Sequence, residues 1–175
     1  MKTYDVFISY SSQQKNVADA ICHVLEENNI KYGEDIIKTI TPLGLEGTAE
    51  YFVKIGVPHS KEAIMNFMKK YMLDAYEHHI QAKDNVIPVL RELKSQGASL
   101  NVLTASPHIT LDACLKRLDM FSLFDNVWSC DDFHTTKSDP RIYQLAAERI
   151  GVPVDQIVFV DDNVNAVKTA KLAGM

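Results

Sequence analysis

The sequence predicts an α/β protein built on a parallel sheet, and three observations carry that prediction. Short apolar runs near 100–103, 127–130 and 157–160 alternate with helical patterns of about ten residues, a rhythm that implies right-handed βαβ crossovers. One further strand-like run, Tyr4 to Tyr10, stands by itself at the start. Between it and the rest lies an all-helical block near 35–83, which reads as a lobe inserted after the first strand.

In chain order, Val6, Phe7 and Ile8 give the first strand its β-branched and aromatic content, and Ser11-Ser12 stops it. Val17, Ala20, Ile21, Val24 and Leu25 then mark a helix that ends near Asn28-Asn29, with Gly33 as a turn. From Glu46 to about Ile80 the pattern is helical, broken at Gly56-Val57-Pro58. The stripe Ile64, Phe67, Met68, Tyr71, Met72, Ala75 has the spacing of core packing. A helix from Asn85 to Gly97 leads into the strand Leu100 to Leu103, a helix around Leu111 to Leu118 and the strand Val127 to Cys130. A helix from Pro140 to Ile150, the strand Ile157 to Val160 and a last helix to Ala173 complete the series.

The bulk composition narrows the function. The 175 residues are 46% hydrophobic and 23% charged, which fits a globular chain, and the net charge of −5 with no basic stripe argues against a nucleic-acid partner. Cys22, Cys114 and Cys130 are widely spaced, so neither a disulfide framework nor a zinc site is expected. The start has no long apolar leader and no run is long enough to span a bilayer, so no membrane partner and a cytoplasmic location are expected.

Open parallel sheets build their sites past the carboxyl ends of the strands. Three such stretches stand out. Thr104-Ala105-Ser106 offers a hydroxyl and backbone N–H groups suited to a phosphate, or else an ordinary helix cap. Lys137 precedes Asp139-Pro140, where a helix opens toward the same edge. Asp161-Asp162-Asn163 places two carboxylates side by side; a divalent cation stabilises such a pair, and the alternative is a cap by Asp162 or Asn163. Magnesium prefers one or two carboxylates with phosphate and water, which is what this stretch supplies. His78 and His79, as neighbours on a helix, are expected to face different sides, and His108 reads as a surface histidine near Thr104.

In that order, "LNVLTAS", "TKSDPRIY" and "IVFVDDNVNAVKTAKLAG" resemble the second, third and fourth motifs of the haloacid dehalogenase-like (HAD) phosphatase superfamily. "ITPLGLEGTAEYFVKIGVPHSKEAI" is similar to the helical cap of its β-phosphoglucomutase and phosphoglycolate phosphatase type, so the likeness runs from near Ile36 to the end. The resemblance implies a Rossmann-like parallel sheet with a helical cap inserted after the first strand. It implies a Mg2+-dependent phosphatase or phosphoryl transferase acting on a small phosphorylated metabolite. Thr104 and the N–H of Ala105 would hold the phosphoryl group, Lys137 would neutralise charge, and Asp161 and Asp162 would hold magnesium.

The family's first strand ends in Asp-x-Asp-x-Thr, where the first Asp is the nucleophile and the second the general acid/base. Here Ser9 and Ser11 stand at those positions. Asp5 lies about 13 Å back along the strand. Impaired catalysis is therefore expected, and a non-catalytic interaction or phosphate-binding module is the alternative. "YDVFISYSSQQKNVADAICHVLEENNIK" resembles the opening strand and helix of a Toll/interleukin-1 receptor (TIR) domain; the other reading is a drifted HAD N-terminus. The expected division is 1–31 as the TIR-like segment, 32–83 as the cap and 84–175 as the core. The series stops one strand short of the family's usual C-terminal strand, which leads us to expect a bare sheet edge and self-association through it.

Overall fold

The structure, a computed structural model, describes residues 5–8, 22–33, 35–40 and 43–175. Two compact units divide them: one joins the first strand to residues 81–175, and the other lies within 12–80.

The first unit is a four-stranded, all-parallel sheet formed by β1 (Asp5–Ile8), β2 (Leu100–Thr104), β3 (Asn126–Ser129) and β4 (Ile157–Val160) in the order β3-β2-β1-β4. Its central strand β1 pairs Ile8 with Val102 on one side and with Val160 on the other. Strand β2 is buried along its whole length, and its alternation feeds both faces. Leu100 and Val102 pack with Leu90, Leu111 and Leu115, whereas Leu103 packs with Ile142, Tyr143 and Ile157. Asn101 is a polar residue at 0% exposure within β2. Its Oδ1 accepts a 2.7 Å bond from Nδ2 of Asn126, its register partner on β3, and its own amide donates to Ser99 Oγ at 3.2 Å. A buried amide is tolerable only when paired, so this couple fixes the β2–β3 register.

Around these strands the chain forms helices where the periodicity places them, with shifts of a few residues. Residues 22–27 form α1, and α2 (Ile36–Ile40), α3 (Gly44–Lys54) and α4 (Lys61–Asp74) follow in the helical unit. The sheet unit carries α5 (Val86–Ser95), α6 (His108–Arg117), α7 (Arg141–Ile150) and α8 (Val164–Ala173). Helix α6 begins three residues before Leu111, because Pro107 sets an extended residue at its start. Strand β3 stops at Ser129 rather than Cys130: the Ser129 side chain and Asp132 form a reciprocal cap that turns the chain into a short 3₁₀ segment, Cys130–Phe133. Trp128 on β3 sits edge-on to Phe133 (5.6 Å, 85°), and the Arg149 guanidinium lies 4.0 Å from the Phe133 ring centre.

The helical unit has its own core of Leu25, Phe52, Ile64, Met68 and neighbours, as the Met-rich stripe predicts. Ser60 caps α4 by accepting the Ala63 N–H, and Lys61 bridges Glu46 and Glu50 of α3, each at 2.6 Å. Helix α4 runs on into a π-helical turn, Ala75–His79. On this turn His79 lies 3.2 Å from Asp74, and His78 lies 4.0 Å from Asp74 and 3.9 Å from Glu77. Among the described residues no three His, Cys, Asp or Glu side chains gather as a metal site, and no helix is long and apolar enough to cross a membrane.

Candidate functional site

Parallel strands in register end on the same side, so Ile8, Thr104, Ser129 and Val160 all lie at one edge of the sheet. Each can be built up from its own local geometry.

Past β4, the Asp161 side chain is turned out of solvent although the residue as a whole is only partly buried. Its Oδ2 accepts a 2.8 Å bond from Lys137 Nζ, whose side chain is 15% exposed, and its Oδ1 accepts the Asn163 N–H at 2.7 Å. Asn163, not an aspartate, caps α8, taking the N–H groups of Asn165 and Ala166. The cap requirement is thus met without Asp162, which stays half-exposed with Lys83 Nζ 3.4 Å from its Oδ2.

The segment around Lys137 is fixed by Asp139 and by Tyr143. Asp139 accepts the Thr135 hydroxyl at 3.1 Å, the Arg141 N–H at 2.9 Å and the Arg141 guanidinium, and Arg141 keeps its carboxyl down at about 2. From α7 the buried Tyr143 hydroxyl lies 2.8 Å from the Lys137 carbonyl and 3.1 Å from that of Ala166 on α8. Burial, with the charge of Asp161 behind it, pushes the Tyr143 phenol well above its usual range, so the hydroxyl keeps its proton and remains a donor.

Thr104 ends β2 at 3% exposure. Its hydroxyl is closed into a local turn, donating to Ser106 Oγ and accepting the Ser106 N–H, both at 3.2 Å, while Ala105 beside it is exposed. His108 is more than a surface residue. Its Nδ1 lies 2.9 Å from Asp112 and its Nε2 2.8 Å from Asp132, and the same Asp132 oxygen accepts the Ser129 N–H at 2.8 Å. The Asp112 bond first, and the Asp132 bond after it, raise the His108 pKa, because both favour a ring carrying two protons. This ring ties the turn after β2 to the turn after β3.

Of the residues singled out from sequence, Lys137, Asp161 and Asp162 come together at this edge, and Thr104 ends the next strand but one. Ser9 and Ser11 lie outside the described residues, as does most of the TIR-like stretch 1–31. Sequence reasoning missed Tyr143 and Lys83. Tyr143 had a signal, since it closes "TKSDPRIY" at the edge of an apolar helix face. Lys83 had none: its partner is 79 residues away.

The donor set suits a hard cation that needs few protein ligands. Asp161 has both oxygens engaged and its charge offset by Lys137, whereas Asp162 presents a carboxylate toward solvent. One or two carboxylates, completed by water and phosphate oxygens, is magnesium's usual protein environment.

The profile of the haloacid dehalogenase-like hydrolases matches residues 9–174. The chain belongs to this family. Among HAD relatives, it is 33% identical over 96 residues to (S)-2-haloacid dehalogenase 4A of Burkholderia cepacia, covering 55% of this chain and 41% of that protein. It is 26% identical over 160 residues to a phosphorylated carbohydrates phosphatase of Thermotoga maritima, covering 90% and 73%. The chain spans about two fifths of the length of the (S)-2-haloacid dehalogenases it matches. A Thermotoga maritima crystal structure provisionally assigned as a β-phosphoglucomutase superposes with a TM-score of 0.84 at 24% identity, covering 99% of this chain and 82% of that one. The HAD-type α/β fold expected from the motifs is therefore the fold observed.

Proposed function

We propose that this HAD-family chain binds a small phosphate ester with Mg2+ at the sheet edge and turns it over slowly. The observation that carries the reading is the Lys137–Asp161 ion pair, its side chains largely out of solvent, next to a half-exposed Asp162, because two charges are held mostly out of water where a parallel sheet forms its sites. The matched phosphatase of Thermotoga maritima supports the substrate class.

In this reading Lys137 neutralises charge on the phosphoryl group, and Ala105 offers its N–H from the exposed turn. Thr104 orients that turn through Ser106 and contributes its hydroxyl once the local bond is exchanged. Asp162, with Asp161 beside it, would hold magnesium, which would supply charge stabilisation to the phosphate oxygens. The helical unit is read as a substrate-selecting cap. Turnover is slow because Ser9 and Ser11 replace the family's nucleophile and acid/base.

The test is magnesium-dependent hydrolysis of p-nitrophenyl phosphate by the full chain, by Asp162→Ala and by Ser9→Asp/Ser11→Asp. We expect slow release that Asp162→Ala abolishes and that the double aspartate raises by about 10²- to 10⁴-fold, the usual worth of an acid/base group. The absence of a carboxylate after Ile8 also favours a second reading, a non-catalytic phosphate-binding or TIR-like interaction module. Phosphate binding by the wild type with no turnover, even in the double aspartate, would establish that one instead.

A further inference from the structure

Lys83 stands at this edge with no role in the reading above. It follows closely on Ile80, where the helical unit ends, and places its ammonium 3.4 Å from Oδ2 of Asp162. Its side chain is 57% exposed and that of Asp162 48% exposed, so solvent screens the pair and the contact contributes little to stability. The neighbouring acid is treated differently. Asp161 is buried against Lys137, with its second oxygen on the Asn163 N–H, so its cation is fixed in place. One aspartate therefore has a permanent counter-ion and the other an exchangeable one.

We propose that Lys83 is a resident cation that competes with Mg2+ for Asp162 and so sets the metal affinity of the site. This rests on the magnesium reading of Asp162 given above. A divalent ion at Oδ2 cannot share the oxygen with an ammonium at 3.4 Å without strong like-charge repulsion, so binding requires the Lys83 side chain to swing into solvent. Its exposure leaves room for that movement. The cost lowers metal affinity and makes it sensitive to ionic strength, since added salt screens both the contact being broken and the repulsion being relieved. Lys83 touches Asp162 rather than substrate, so it is a positioning residue.

The experiment is direct titration of Mg2+ into the full-length chain by calorimetry, with no substrate present, comparing wild type, Lys83→Met and Lys83→Arg. Lys83→Met is expected to bind Mg2+ about two- to tenfold more tightly in about 0.1 M KCl, and the gap should close in about 1 M KCl. Lys83→Arg, which keeps the charge, should match wild type. Equal Kd values for wild type and Lys83→Met, or an Arg variant that behaves like Met, would overturn the competition while leaving Asp162 as a metal ligand. No Mg2+ binding by any of the three, with Asp162→Ala equally silent, would remove the magnesium reading itself and this inference with it.

Discussion

Lys137 and Asp161 each lose most of their solvation on folding, so the pair is costly to form and still costlier to break. Lys137→Met leaves a buried carboxylate with only the Asn163 N–H among its described bonds, and should destabilise by about 3–5 kcal/mol in urea unfolding. Lys137→Met combined with Asp161→Leu should recover much of that loss, because no charge is then stranded. His108 makes a prediction of opposite character. Its folded-state pKa lies above the unfolded value of about 6.5, so its ties to Asp112 and Asp132 contribute fully below that pH and fade as pH rises through the folded value. Discounted for partial exposure, the contribution is about 0.2–1 kcal/mol. The melting temperature of wild type should therefore exceed that of His108→Gln at about pH 5.5, and the difference should vanish at alkaline pH. Lys137, Asp161 and Asp162 were legible in sequence because each follows a recognisable strand. The double tie of His108 was not: Asp112 lies one turn away, but Asp132 is 24 residues on and adjoins only because β2 and β3 pair.

The elements show where local pattern suffices and where packing overrides it. Strand β4 and helix α8 end where the apolar periodicity ends, with Gly174 in the left-handed conformation just past Ala173. The N-terminal end of α8 was ambiguous, since Asp162 and Asn163 are both good caps, and only the coordinates assign the role to Asn163. Asn163→Ala removes that side-chain cap but keeps the backbone N–H that Asp161 accepts, and should cost about 0.5–2 kcal/mol in chemical denaturation. The π-helical turn after α4 had no signature at all, because a one-residue widening leaves the apolar spacing nearly unchanged.

Over the whole molecule, the alternation of strands and helices made the sheet and its parallel sense legible, and the all-helical block made the second unit legible. The division between the units, at residues 11–12 and 80–81, carries no mark of its own in the helical pattern. Strand β4 ends the sheet order among the described residues, and Val158 and Val160 on it are 42% and 51% exposed. An open apolar edge invites pairing with a second chain. Sedimentation velocity should therefore show concentration-dependent association that Val158→Lys/Val160→Lys abolishes; a wild-type monomer at all concentrations would count against it. The chain's sole indole, Trp128, lies against Phe133 and Arg149 inside the sheet unit, so red-edge fluorescence follows that unit alone, whereas far-ultraviolet dichroism follows all the helices. Melting curves from the two signals will superimpose if the protein unfolds as a single cooperative block and will separate if its halves come apart in turn.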